Sequence, residues 1–157
     1  MDKAKILEAA IAQLEESGRQ MKQAARDAHA EATDPETHSE NEYDTRGLEA
    51  SYLARGQALQ LDALAEDLLV LKQCRLPDYA AGDPAGPGAL VRVETDGQRN
   101  DYLLLPRAGG LEVTVGRQTV TVVTESSPIG QQLVGRKKGG TFALRRGEPM
   151  IRVLSVC

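Results

Sequence analysis

From residue 2 to residue 32 the chain carries no proline and a single glycine, and within that run Leu7, Leu14, Met21 and Ala28 recur every seven positions. Ala10, Ile11, Ala24 and Ala25 fill the intermediate face. Such a repeat predicts one strand of a coiled coil or helical hairpin, because a lone helix leaves an apolar seam that only a second helix can cover. The run breaks at Thr33-Asp34-Pro35-Glu36-Thr37-His38-Ser39, where a proline removes a backbone donor and cap-forming residues cluster, so a turn is expected there. A second helical pattern follows from about Ser39 to Gln73, with Tyr43, Ala50, Ala54, Leu61, Leu64, Leu68 and Leu71 on one face. Two helices of about 30 residues at about 1.5 Å per residue make an antiparallel hairpin of the order of 45 Å. Gly47 and Gly56 each cost the second helix up to about 1 kcal/mol relative to alanine, so its half nearer the turn is expected to be the softer half.

The period then changes. Residues 77 to 88 hold Pro77, Gly82, Asp83, Pro84, Gly86, Pro87 and Gly88, a composition that marks a linker or ordered loop and divides a hairpin (1–76) from a second domain (89–157). Beyond it Ala89 to Thr95, Asp101 to Leu105, Leu111 to Val115, Thr119 to Thr124, Thr141 to Arg145 and Pro149 to Val156 read as strands. Asp96-Gly97, Gly109-Gly110, Gly116-Arg117 and Arg146-Gly147 are the turns between them. Ser127-Pro128-Ile129-Gly130-Gln131-Gln132-Leu133-Val134-Gly135 fits a short helix with Ser127 as its N-cap, Pro128 in its first position and Gly135 at its end. The fold class is α+β: an N-terminal antiparallel coiled-coil hairpin followed by a small antiparallel β domain with one short helix.

Several function classes are disfavoured. The formal charge of −4, from 23 acidic against 19 basic side chains, argues against a general nucleic-acid binder held by phosphate neutralisation. Cys74 and Cys157 form no CxxC pair and read as free thiols of a reducing compartment. No stretch approaches the length of a membrane helix and the N-terminus does not resemble a signal sequence, so a cytoplasmic protein is expected. There is no GxSxG, phosphate loop, HExxH or dinucleotide fingerprint, and the two histidines, His29 and His38, sit apart from any cysteine. No enzymatic activity of its own and no cofactor of its own are expected.

The richest polar constellation is the turn of the hairpin, where Glu31, Asp34, Glu36, Glu40, Glu42 and Asp44 fall within one short stretch. An exposed turn and the dipole of the following helix suffice to explain carboxylates there, Glu40 and Glu42 above all. Alternatively, carboxylates at the end of a stiff arm can be delivered to a divalent cation in another macromolecule, since hard oxygens are what Mg²⁺ accepts.

Two segments bear on that choice. Ser39-Glu40-Asn41 with Tyr43, directly after the turn, resembles the tip sequence of the bacterial Gre elongation factors. Ser126-Ser127-Pro128-Ile129, with Leu133, Val134, Gly135 and Arg136, is similar to the Ser-Pro segment of that family's globular domain. The resemblance covers nearly the whole chain, with hairpin before sheet as in the family. It implies an FKBP-like C-terminal domain that docks on RNA polymerase at its secondary channel, and a hairpin that threads inward as a monomer. The tip acids would then help hold a catalytic Mg²⁺ of the polymerase and its water, so that the polymerase cleaves a backtracked transcript; contact with nascent RNA is indirect. By position, Glu40 matches the tip glutamate and Asn41 the asparagine after it, while Ser126, Ser127 and Pro128 fall in the docking loop. The family's aspartate three residues before the tip glutamate is Thr37 here, with Glu36 adjacent and Asp34 near as possible replacements. Two alternatives stay open: a Gre-like factor that occupies the channel without stimulating cleavage, and a scaffold whose coiled coil pairs with another chain. A prolyl isomerase is disfavoured, because one Phe and four Tyr are scant material for an aromatic-lined pocket.

Overall fold

A computed structural model describes residues 2–32 and 45–157, with side chains described for 2–28 and 53–157. Helix α1 spans Lys3–Ala32 and helix α2 Thr45–Lys72. Six strands follow, β1 (Leu90–Thr95), β2 (Gln98–Leu104), β3 (Glu112–Val115), β4 (Gln118–Val123), β5 (Thr141–Phe142) and β6 (Ile151–Val156), with helix α3 (Pro128–Leu133) between β4 and β5. The architecture is the expected α+β one, an N-terminal helical hairpin and a C-terminal β domain. The chain divides into two compact units, one of residues Gln13–Leu68 and one of Met1–Ala12 with Leu69–Cys157.

In the helical unit, Leu64 of α2 lies over Gly18 of α1: a Cβ placed there would meet Leu64 Cδ2 at 3.1 Å. The absence of a side chain is what lets Leu64 lie against the α1 backbone. Leu14 and Met21 are half-buried, whereas Ala28, the last of the heptad series, is exposed. Seven residues of an ordinary α-helix fall about 20° short of two full turns, so a seam drawn through every seventh residue drifts off the contact face.

In the sheet unit the strand order is β3-β4-β2-β1-β6-β5. β1 and β2 form a hairpin through Asp96 and Gly97, whose φ values of 51° and 77° place both in the left-handed region that a two-residue turn requires. All neighbouring pairs are antiparallel except β2 and β4, which run parallel with Asp101 beside Val120 and Leu104 beside Val123. This departs from a wholly antiparallel reading, because β3 and β4 form their own hairpin and β4 returns along β2.

Both faces of the sheet are buried. On one, Val91, Val93, Leu104, Val123 and Val153 pack with Leu133 of α3 and with Phe142, the only Phe of the chain. On the other lie Leu90, Leu103, Val113, Val120 and Val122, all 5% exposed or less. Ile6 and Ala10 from the start of α1 and Leu71 from the end of α2 are fully buried members of the same unit. Two-sided burial explains why β4 ends on the unbroken run Val120-Thr121-Val122-Val123 and does not alternate cleanly. At about 25 cal/mol per Å² of apolar surface, each fully buried Leu or Val contributes roughly 1.5–3 kcal/mol toward holding this platform.

Residues 77 to 88 are hydrogen-bonded onto the sheet. Gly88 N–H donates to Leu104 O at 2.7 Å, Ala85 N–H to Arg136 O at 2.8 Å, and the Tyr79 hydroxyl to Pro87 O at 2.8 Å. The segment is an ordered strap, and Tyr79 packs against the core beneath it.

Candidate functional site

The segment after β4 turns a sharp corner. Ser127 has an extended backbone (φ −70°, ψ 153°), and its hydroxyl accepts from Gly130 N–H at 3.1 Å while donating to Thr124 O at 2.7 Å. One side chain thus satisfies an orphan amide of the helix start and ties that helix to the end of β4. Pro128 opens the helix, where its missing N–H costs nothing. Val134 N–H closes back to Gly130 O at 2.9 Å, and Gly135 follows at φ 79°, donating to Ala85 O at 2.8 Å. Cap, first-position proline and terminal glycine fall where the sequence puts them.

The corner's packing is decided by Gly130, which is buried. A Cβ there would sit 1.9 Å from Thr124 O. Leu133, fully buried, anchors the other side of the helix in the core. Ser126 and Pro128 are left exposed at the apex. The Ser126 hydroxyl shares a 3.1 Å hydrogen bond with Thr124 Oγ1, and its carbonyl accepts from Gln131 Nε2 at 3.1 Å, so the apex is held from both ends. Ser127 has its hydroxyl engaged in the fold, and Ser126 and Pro128 present the accessible surface.

Beside this corner stands Tyr79. Burial pushes its phenol above the usual tyrosine range, and the carboxylates of Asp83 and Glu125 push the same way. Arg136, which ends the motif, donates to Gln132 O at 3.1 Å and Thr141 O at 3.2 Å and lies 5.5 Å from the centre of the Phe142 ring. It links the end of α3 to β5.

Of the residues singled out in the sequence, Ser126, Ser127 and Pro128 are brought together at this apex. Asp34, Glu36, Thr37, Glu40 and Asn41 lie outside the described residues. Thr124 and Gly130 were not anticipated as parts of the site. A glycine inside so short a helix was the available signal, since such a position is costly unless backbone must pass close by. Among the described residues no group of His, Cys, Asp and Glu side chains is arranged to hold a metal ion, and no helix is long and apolar enough to cross a membrane.

No protein-family model and no curated protein matches the chain. Among solved structures it is similar to the GreA factor homolog 1 (Gfh1) protein of Thermus thermophilus, at 21% identity over 95% of each chain with a TM-score of 0.39. It is also similar to Thermus aquaticus Gfh1, at 21% identity over 95% of this chain and 94% of that one with a TM-score of 0.38. A further structure of the transcription factor Gfh1 matches at 20% identity over 94% and 93% of the two chains, with a TM-score of 0.37.

Proposed function

We propose that this chain is a Gre-type transcription factor that docks on RNA polymerase at the secondary channel and carries an acidic hairpin tip toward the polymerase active site. The observation that carries this reading is the Ser126-Ser127-Pro128-Ile129 corner. Its residue types resemble the Gre docking loop, and they form a pre-organised exposed apex that does not need to order itself on binding. The second motif, Ser39-Glu40-Asn41, lies in the stretch between two long helices, where the Gre arrangement has it.

On this reading Glu40, with Glu36 or Asp34 in place of the family's aspartate, supplies carboxylate oxygens to Mg²⁺ of the polymerase. Hard oxygen ligands hold such an ion, and the ion lowers the pKa of a bound water for attack on the transcript. The bond cleaved and the catalytic machinery belong to the polymerase. The factor contributes placement and negative charge, acts as a monomer in the cytoplasm, and needs no cofactor of its own.

The test is a stalled, backtracked elongation complex. Wild-type protein shortens the RNA, and Glu40→Ala suppresses the shortening while polymerase binding persists. Absence of both shortening and binding would sink the reading. Thr37 favours a second version in which docking occurs without cleavage, because affinity for a hard cation depends on ligand charge count. In that case Thr37→Asp creates or raises cleavage; full activity already present in the wild type excludes it.

A further inference from the structure

The charge of the molecule is distributed unevenly. Against a net charge of −4 for the whole chain, the stretch from Arg136 to Val153 holds six basic side chains, Arg136, Lys137, Lys138, Arg145, Arg146 and Arg152, and one acid, Glu148. Arg136 is engaged in the fold through Gln132 O, Thr141 O and the Phe142 ring. The other five are exposed. Among the described residues Lys137, Lys138, Arg146 and Arg152 have no ion-pair partner, and Arg145 meets Glu148 only at 3.9 Å with its side chain 86% exposed.

The backbone gathers these charges on one edge of the sheet. β5 is an outermost strand and only two residues long, with Lys137-Lys138 leading into it and Arg145-Arg146 leading out. Arg152, on β6 next to the outermost strand, lies across from Thr141 of β5 on one side and Glu94 of β1 on the other. The ladder continues past β5 through Gly139 N–H to Val153 O and Val153 N–H to Gly140 O, so the Lys137-Lys138 turn is fixed to β6.

Apolar groups are exposed in the same stretch: Leu144 at 40% and Met150 at 57%, between β5 and β6. Basic residues on an edge strand can serve only to prevent edge-to-edge pairing. That role accounts for the charge and makes no use of the two large apolar side chains exposed in the same short stretch. A single-stranded nucleic acid would call for exposed rings to stack its bases, and the one aromatic of the stretch, Phe142, is in the core at 4% exposure.

Resting on the polymerase-docking reading above, we infer that the β5–β6 edge is a second docking surface that takes an acidic, partly apolar protein surface of the polymerase. Lys137, Lys138, Arg145, Arg146 and Arg152 face its carboxylates, and Leu144 and Met150 pack on its apolar groups. Charge complementarity of this kind acts chiefly on encounter rate and orientation.

The experiment titrates full-length protein against core RNA polymerase at about 0.05 M and about 0.5 M salt, a range over which exposed charges become largely screened. Lys137→Glu, Lys138→Glu, Arg145→Glu and Arg146→Glu combined weaken binding about tenfold or more at low salt, with the difference shrinking at high salt. Leu144→Ser with Met150→Ser weakens it about threefold at both, as lost apolar burial is far less salt-dependent. Should the reversed variant fail to fold, as judged by its thermal transition, Lys137→Gln with Lys138→Gln gives the same readout in smaller measure. If wild type and variant bind polymerase equally at low salt, this inference falls and the docking reading stands. If a duplex or single-stranded RNA binds the wild type as tightly as polymerase does and the variant loses that binding, the edge is a nucleic-acid surface and the inference falls. If the wild type does not bind polymerase at either salt, the docking reading falls and takes this inference with it.

Discussion

The carbonyl oxygen of Thr124 occupies the place where a side chain at position 130 would begin, 1.9 Å from a Cβ built on Gly130. The obstacle is backbone at the end of β4, which the sheet holds in place, so the neighbour cannot swing aside as a flexible side chain would. Gly130→Ala should therefore destabilise the protein by about 2–4 kcal/mol, or lift α3 off its strand, and on the docking reading polymerase binding is lost in parallel. Urea denaturation of the two proteins checks it, and equal midpoints would show that the corner is not rigid.

Ser126 and Ser127 should separate into a surface role and a fold role. Ser127→Ala removes the cap to Gly130 N–H and the bond to Thr124 O and should cost about 1 kcal/mol. Ser126→Ala loses a hydroxyl contact at an exposed position and should change stability by less than about 0.5 kcal/mol. On the docking reading Ser126→Ala nevertheless weakens polymerase binding. Thermal denaturation read beside binding distinguishes the two; a stability loss at Ser126 as large as that at Ser127 would contradict the assignment.

The helical glycines make opposite use of the same missing Cβ. Gly56 of α2 is exposed with nothing within 4 Å of a new Cβ, so Gly56→Ala should stabilise by about 0.5–1 kcal/mol through helix propensity and a less flexible unfolded chain. At Gly18 the nearest atom is Leu64 Cδ2, the far end of a flexible side chain beside an open groove lined also by Leu61, Ala65 and Leu68. Leu64 can give way by a few tenths of an ångström, so Gly18→Ala should be neutral to mildly stabilising. Gly18→Val has no such latitude and should lose about 1–3 kcal/mol. Helix content and melting temperature of the three variants decide it.

Arg92 and Asp101 face each other across β1 and β2 and form a bidentate pair, at 2.6 Å from Nε and 2.8 Å from Nη2. Their side chains are 34% and 11% exposed. Asp101→Ala leaves the guanidinium without its partner on a mostly covered face and should cost about 1.5–3 kcal/mol. Replacing both with leucine should recover much of that loss, since an apolar pair escapes the desolvation penalty. A denaturation cycle over Arg92→Ala, Asp101→Ala and the double alanine variant measures the coupling, and additive losses would mean the pair contributes nothing as a pair.

Alkaline pH should destabilise the fold through its tyrosines. Burial raises the phenol of Tyr79, with Asp83 and Glu125 adding to it, and burial alone raises that of Tyr102. A raised folded pKa means that the folded state holds its proton more tightly than the unfolded chain. The corresponding stability is complete below the ordinary tyrosine value near 10 and is lost as pH rises through the higher folded value. Melting temperature should fall more steeply above that pH in the wild type than in Tyr102→Phe, and identical slopes would remove the assignment.

Much of the local structure was legible because it depends on residues close together in the chain. Asp96-Gly97 announces a two-residue hairpin since both positions take positive φ. Ser127, Pro128 and Gly135 announce the start and end of α3 through the chemistry of helix termini. Other readings failed in informative ways. The strand anticipated from Thr141 to Arg145 shrinks to Thr141–Phe142, because only Phe142 enters the core and Leu144, Arg145 and Arg146 turn outward. The heptad series ends on an exposed Ala28, because evenly spaced residues drift around a straight helix.

By itself, then, the sequence determined a pair of long helices, a glycine- and proline-rich strap, a run of short strands, and the two motifs that suggest a partner. These follow from periodicity, caps and turns, whose energetics are settled within a few residues. Only the tertiary structure decided that β4 lies parallel to β2, that Arg92 meets Asp101, that the backbone of Thr124 forbids a side chain at 130, and that basic residues from both flanks of β5 share one edge. Those relationships arise when segments distant in sequence are brought together to bury a common apolar surface, and no local propensity encodes which segments will meet.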